Sequence, residues 1–424
     1  MQFPLSAFNN VSAANPWTYL VFGIIGFAFG YTLEMSGFGD SRKLAAQFYF
    51  TELTVLKVMF TAIVTAMVLL FGAVGLGILD FNLVWVNTTY LGSGILGGLI
   101  MGVGFIVGGF CPTTSLASAS TGKIDGMMFM FGGFFGALLF GETEKYFDHW
   151  YNTAGYYGRL TLDQVLGLPL GVVVALVVAM ALFMFWGAEQ LERIVGKKDM
   201  SKEPKLRLVG AGALAAAALA VALIGSPSTE AKYAKVSIAR TVAEGQSVQM
   251  SADELLATRS VQIHPGELLA TMGDDRLFPV IVDVRDEADY NLFHIKGSVN
   301  VPLAEVAAYI PSLLEKQAAN TVYVTVSNDE EAATEAWKLL VANSVPNVYI
   351  LEGGINNWIA VFGEDEDGIT PLASVTNDLL AYIFPAALGD RYECASPSPL
   401  EWKLEFTPKI QLQLKRDKSG GGCG

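Results

Sequence analysis

At 424 residues the chain can hold two or three domains, and 52% hydrophobic against 16% charged residues excludes a wholly water-soluble protein. Residues 1–225 carry 12 Lys+Arg against 13 Asp+Glu, and residues 226–424 carry 15 against 28. An apolar front half precedes an acidic back half, which excludes a nucleic-acid partner because the only dense basic run is short and lies between apolar segments. Three cysteines make no disulfide scaffold. Residues 1–16 lack Lys and Arg and no cleavage site follows the first apolar stretch, so no cleavable signal is expected.

A helix crossing a bilayer needs about 20 mostly apolar residues. Six stretches approach this: Trp17 to Leu33, Leu53 to Leu79, Gly92 to Phe110, Ile124 to Phe140, Leu166 to Ala188 and Leu208 to Gly225. The first five are rich in Gly, Phe, Met and Val, and small residues let helix backbones approach closely. The Ala-rich sixth reads as a packed or tethering helix. Basic residues cluster after the first span (Arg42, Lys43) and between the fifth and sixth (Arg193, Lys197, Lys198, Lys202, Lys205, Arg207), whereas 80–91 has none. Retention of such residues on the cytoplasmic side places the N-terminus and everything after Gly225 outside the cytoplasm. Gly26, Gly30, Gly37, Phe38, Leu44 and Ala45 recur 72 residues later as Gly98, Gly102, Gly109, Phe110, Leu116 and Ala117. Paired interrupted helices of this kind point to a transporter's central site.

Residues 227–261 read as a polar link. Beyond it Pro279–Val284, Val322–Val326 and Val348–Leu351 read as strands, with helical spacing over 330–342, which indicates a small parallel α/β domain over 262–364. The remainder, 365–424, reads as an extension: Leu372 to Phe384 as a helix, Glu401 to Lys415 as a strand or hairpin, and SGGGCG as a mobile tail. The expected fold is a membrane all-α bundle of about six spans followed by a small α/β domain.

The first candidate site is GGFCPTTSLASASTGK, residues 108–123. Pro112 cannot continue a helix but suits the start of a new one, so the backbone should break at Cys111 and restart. The restart aims N–H groups and the hydroxyls of Thr113, Thr114 and Ser115 towards a soft sulfur, a setting for an anion. The alternative makes Cys111 a small buried hydrophobe beside mutually satisfied hydroxyls. The matching passage MSGFGDS, residues 35–41, should supply a second wall, with Ser36 and Ser41 as donors. Lys57 either neutralises the anion or snorkels to the interface. His149 beside Asp148 and Glu144, and Met127, Met128 and Met130, read as a solvated loop and as packing, so no metal is expected. His264 reads as an exposed residue before a strand.

GFAFGYTLEMSGFG and GVGFIVGGFCPTTS resemble the YeeE/YedE family of sulfur-compound transporters, which includes thiosulfate uptake proteins. The resemblance covers roughly residues 17–142 and implies a route lined by cysteines that contact substrate sulfur, with Cys111 in such a position. Family members often carry several membrane cysteines, whereas this chain has one. IVDVRDEADYNLFHIKGSVNVP and LEGGINNW resemble the rhodanese domain over about residues 262–364. Asp283, Arg285, His294, Gly297, Gly353, Gly354 and Trp358 match its framework. The resemblance implies a nucleophilic cysteine directly after the central strand, yet here that position is Val326, followed by Ser327-Asn328-Asp329-Glu330-Glu331. A catalytically degenerate domain, a pseudoenzyme with no catalytic residue and no cofactor, is therefore expected.

The reading is a multi-pass inner-membrane transporter for a small sulfur-containing anion, with thiosulfate the leading substrate and the lipid bilayer its surroundings. A second reading makes the helices a mere tether and the chain a sulfur carrier for a partner protein. In that reading Cys423, on its Gly-Gly-Gly leash, holds the sulfur; otherwise it pairs with Cys394 or is idle.

Overall fold

The computed structural model describes residues 16–84, 86–197, 205–241, 247–315, 320–364, 366, 368–372, 377–402 and 404–412. Two compact units divide between Ser226 and Pro227.

The first unit is helical. Its elements are α1 (Pro16–Met35), α2 (Ser41–Ala46), α3 (Thr54–Gly75), β1 (Thr89–Tyr90), α4 (Leu91–Gly108), α5 (Pro112–Ser120) and α6 (Ile124–Thr143). Then follow α7 (Asp148–Thr153), β2 (Tyr156–Gly158), α8 (Leu162–Leu166), α9 (Leu170–Ile194) and α10 (Leu206–Ile224). Among the described residues five helical segments are long and apolar enough to cross a membrane, α4 and α5 being joined as Leu91–Ser120. The apolar stretch Tyr19–Met35 of α1 is shorter. The six expected stretches thus each carry an apolar helix.

Two clusters organise this unit. Val64 and Val68 of α3, Val174, Val178 and Ala181 of α9, and Ala218 and Val221 of α10 form one. Gly171 permits it: a Cβ there would stand 2.8 Å from the Cα of Ala222, so only glycine lets α9 and α10 approach this closely. The Ala-rich α10 is accordingly a packed helix. The second cluster joins Phe38, Leu44, Val55 and Phe110, and so ties the two echoed passages together.

Lys57 is taken up by a buried carboxylate of its own chain. It bonds Glu192 at 2.8 Å, and the other Glu192 oxygen accepts the N–H of Leu53 at 2.6 Å. Glu192 is fully buried, so the cation and the free amide at the start of α3 supply the partners its charge requires.

The second unit opens on α11 (Thr229–Tyr233), the antiparallel hairpin β3 (Ser237–Thr241) and β4 (Ser247–Ser251), and α12 (Ala252–Ala257). The described residues of 227–261 are therefore structured where a polar link was expected. Next come β5 (Gln262–Ile263), α13 (Pro265–Met272), β6 (Phe278–Asp283), α14 (Glu287–Leu292), β7 (Val299–Asn300) and α15 (Val306–Glu315). The unit continues with β8 (Thr321–Val326), α16 (Glu331–Ala342), β9 (Val348–Leu351) and α17 (Gly354–Phe362). Five parallel strands run in the order β5-β9-β8-β6-β7. Every residue of β8 and β9 is buried, which explains their unbroken apolar runs. Trp337 of α16 and Trp358 of α17, both fully buried, complete the core.

Three local expectations are corrected. The described residues of Leu372 to Phe384 form no helix: β10 (Thr370–Pro371) pairs with β11 (Tyr382–Ile383), and Asn377 and Asp378 take left-handed φ values of 64° and 55° that no right-handed helix accommodates. Residues 404–412 form no strand. Glu267 Oε1 accepts the N–H of Lys409 and Ile410, and Tyr349 Oη accepts that of Gln411, so side chains replace a ladder. His264 is half-buried and follows β5, capping α13 by accepting the N–H of Gly266 on Nδ1 at 3.0 Å.

Candidate functional site

The chain breaks at corresponding points in the two echoed passages. The helices α1 and α4 are each followed by a left-handed glycine, Gly37 (φ 75°) and Gly109 (φ 72°). A buried phenylalanine follows each, Phe38 and Phe110, and then a new helix starts. Asp40 caps α2 by accepting the N–H of Arg42 at 3.0 Å. Cys111 occupies the cap position of α5, with Pro112 opening the helix.

The breaks meet. Ser118 Oγ, fully buried on α5, donates to Gly39 O at 3.1 Å, and a Cβ on Gly109 would lie 3.0 Å from both Cβ and O of Ser41. Lys123 and Glu34 pair at 3.5 Å, and a Cβ on Gly39 would stand within 2.8 Å of both charged ends. Close approach of the Ser41 backbone to Gly109 is what lets the two turns lie together.

Of the expected site residues, Cys111 and Thr113 are half-buried, while Thr114 and Ser115 are buried. Thr114 Oγ1 accepts the Cys111 N–H at 2.9 Å and lies 3.3 Å from its sulfur. Ser115 Oγ donates to Pro112 O at 2.7 Å. These two hydroxyls brace the turn. Ser36 and Ser41 are half-buried, and Lys43 Nζ donates to Ser36 O at 3.1 Å. Sequence reasoning missed Ser118, the hydroxyl that joins the two breaks, because its partner is a backbone carbonyl 79 residues away.

In the α/β unit the framework residues gather at the carboxyl ends of β6 and β8. Asp283 and Arg285 form a buried bidentate pair at 2.9 and 2.6 Å. Arg285 also donates to Asn328 Oδ1 at 3.1 Å and to Phe293 O at 2.7 Å. His294 stacks on Tyr290 with ring centroids 3.7 Å apart, its Nδ1 2.7 Å from Tyr290 O. Gly353 and Gly354 are left-handed, and Gly354 packs against the carbonyls of Ser327 and Asp329. Trp358 Nε1 donates to Cys394 O at 2.8 Å.

Val326 ends β8 fully buried, its carbonyl accepting the N–H of Val284 at 2.9 Å. Ser327 turns inward, its Oγ accepting the N–H of Ala333 at 3.2 Å. Glu330 is bound by Arg259 at 2.7 Å and accepts the Gly353 N–H at 2.8 Å. Burial, with the charges of Asp378 and Glu330, pushes the Asp329 carboxyl above the ordinary aspartate range. Cys394 is buried, and desolvation together with Glu366 drives its thiol far up. The proposed carrier Cys423 lies outside the described residues. Among those residues no group of three or more His, Cys, Asp or Glu side chains could hold a metal ion.

Two family models match the chain in succession. Residues 35–268, just over half the chain, match the family model described as sulphur transport, and residues 264–361 match that of the rhodanese-like domain. The centrosomal protein of 41 kDa from Mus musculus is 26% identical over 159 residues, 34% of this chain and 42% of its own length. A TBC domain-containing protein kinase-like protein from Gallus gallus is 36% identical over 84 residues, 18% of this chain and 9% of its own. The chain thus spans less than half the length of either relative. A full-length Lactobacillus plantarum protein of solved structure is 26% identical, covering 26% of this chain and 89% of its own at a TM-score of 0.21. The rhodanese-like domain of an Anabaena sp protein is 21% identical, covering 28% and 93% at a TM-score of 0.21. With five helical segments long and apolar enough to cross a membrane and a parallel α/β unit after them, the chain belongs to the sulphur transport family, as a multi-pass membrane protein fused to a rhodanese-like domain.

Proposed function

We propose that the helical unit moves a small sulfur-containing anion, thiosulfate, past the paired breaks, with Cys111 as its soft contact. The observation that carries this reading is the meeting of the breaks through Ser118 and Gly39, with a half-buried thiol at the restart of α5. Interrupted helices are tolerated at membrane depth only where protein or a cavity surrounds them, so a tether alone gives no reason for two of them. Thiosulfate's terminal sulfur is polarizable and suits a thiol, while its oxygens suit the N–H groups and the Thr113 hydroxyl at the same turn. Thr114 and Ser115 act through the turn's shape, and Ser36 and Ser41 belong to the facing wall.

The rhodanese-like domain has lost sulfur transfer at the β8–α16 loop: Val326 stands where the nucleophile is implied, and the following segment is acidic. The Lys/Arg asymmetry supports a location for this domain outside the cytoplasm.

The test is uptake of labelled thiosulfate by cells that lack their own importers. Cys111→Ala should abolish uptake at unchanged protein level, and Cys111→Ser should lose most of it, because oxygen is the harder partner. Full uptake by the alanine variant would remove Cys111 from the route.

A further inference from the structure

The turn at the first break carries two ammonium groups. Lys43, on α2, folds back so that its Nζ donates to Ser36 O at 3.1 Å, and a Cβ on Gly37 would stand 2.9 Å from that nitrogen. Lys123 reaches the same turn from beyond the end of α5: a Cβ on Gly39 would stand 2.8 Å from its Nζ and 2.7 Å from a Glu34 carboxylate oxygen. The Asp40 N–H closes the turn on Gly37 O at 3.3 Å. The lack of side chains at Gly37 and Gly39 is what lets both cations lie against the backbone. Ser118, which holds this turn through Gly39 O, lies about 10 Å along α5 from Cys111.

Charge at this turn is not balanced. Lys43 is half-buried, and among the described residues its ammonium meets a carbonyl and no carboxylate. A carbonyl accepts one of the three N–H protons and leaves the charge without a counterion, which partial burial disfavours. Lys123 has Glu34 opposite it, but at 3.5 Å and with both side chains 45% exposed, a looser pair than Lys57 and Glu192 at 2.8 Å. Asp40 is occupied in capping α2 through the Arg42 N–H. Two cations therefore share one loosely held carboxylate. Retention of Lys and Arg on one side of a membrane requires no such folding back onto the chain.

We propose that Lys43 and Lys123 form a second anion station, for a small doubly charged oxyanion, beside the end of α5 remote from Cys111. The anion takes Lys123 from Glu34, whose exposed carboxylate turns to water, and supplies Lys43 with the counter-charge it lacks. The two stations divide the selection: Cys111 sorts by the softness of sulfur, the lysines by charge. Their order on one route rests on the transport reading; the binding of an oxyanion by the lysines does not.

Equilibrium binding of sulfate and of thiosulfate to the full-length protein in detergent, read by titration calorimetry, tests this apart from transport. Sulfate has the charge of thiosulfate without its soft sulfur, so it should bind the native chain and Cys111→Ala alike. Lys43→Gln and Lys123→Gln should each weaken both anions at least about tenfold, as expected for the loss of a charge-assisted contact. Lys43→Arg should restore most of the affinity. Glu34→Gln removes the competing carboxylate and should strengthen binding, a gain that misfolding cannot imitate. Added sodium chloride should weaken binding more in the native chain than in Lys43→Gln. Undiminished sulfate affinity in either glutamine variant of the lysines, or no sulfate binding by the native chain and Glu34→Gln, would overturn the station. Binding as stated with no thiosulfate flux into liposomes would refute the transport reading alone. Thiosulfate flux that both lysine variants leave unchanged would refute the station alone.

Discussion

Thr114 shows how a single hydroxyl shapes the break in α4–α5. Its oxygen accepts the Cys111 N–H, which no helix turn supplies with a partner, so Thr114→Val leaves a donor unpaired in a buried setting. The variant should lose about 1–3 kcal/mol of stability, read as a lower melting temperature of the purified protein. Thr113→Val, at a half-buried position, should leave that temperature unchanged and raise the concentration needed for half-maximal uptake. Asp329 gives a prediction in pH. Its folded-state carboxyl is raised, so its contribution to stability is complete below the ordinary aspartate value and is lost as pH rises through the raised one. Asp329→Asn should therefore stabilise the rhodanese-like domain at neutral pH, with the gain over the native chain shrinking as the solution is acidified through pH ~4. A gain that stays constant with pH would show that charge is not the cause. Cys111 and Pro112 were legible in the sequence because proline dictates where a helix can restart. Asp378 was not: its partners are amides 46 and 49 residues away, and no local pattern marks a carboxylate that caps a distant helix.

Among the elements, α3 and α9 are joined by one buried carboxylate. Removing Glu192 would strand the Leu53 N–H and the Lys57 ammonium together, so Glu192→Ala should cost about 3–5 kcal/mol and lower the yield of folded protein. Glu192→Gln keeps an acceptor for one of the two partners and should lose less; equal losses would point to shape rather than charge. The apolar helices, β6, β8 and β9 were all readable, because membrane spans and central parallel strands, fully buried in β8 and β9 and over the second half of β6, carry continuous apolar runs. Two elements misled for an identifiable reason. Leu372 to Phe384 is apolar enough for a helix, yet the consecutive left-handed residues Asn377 and Asp378 are incompatible with one and Tyr382–Ile383 pairs with Thr370–Pro371. Residues 404–412 alternate like a strand, but at Lys409, Ile410 and Gln411 the side chains of Glu267 and Tyr349 take the N–H groups that a neighbouring strand would.

At the scale of the whole molecule, a sulphur transport unit and a rhodanese-like domain share one chain, and the second has Val326 where the resemblance implies a nucleophile. The purified full-length protein should accordingly show no thiosulfate-to-cyanide sulfur transfer. Appreciable turnover would relocate the chemistry to another residue. The orientation proposed from the uneven Lys/Arg distribution predicts that a reporter fused after Gly225 that works only in an oxidising compartment is active, and a cytoplasmic signal there would invert the arrangement. The 72-residue echo was visible in six identities, but that its two halves touch depends on Ser118, Gly39 and Gly109 meeting in space, which no spacing along the chain encodes. The central claim is that those paired breaks pass a sulfur anion, and the flux of labelled thiosulfate into liposomes holding the purified protein tests it most directly. Thiosulfate should enter faster than sulfate, and this preference should vanish in Cys111→Ala; flux no greater than in protein-free liposomes, or equal flux of the two anions, would contradict it.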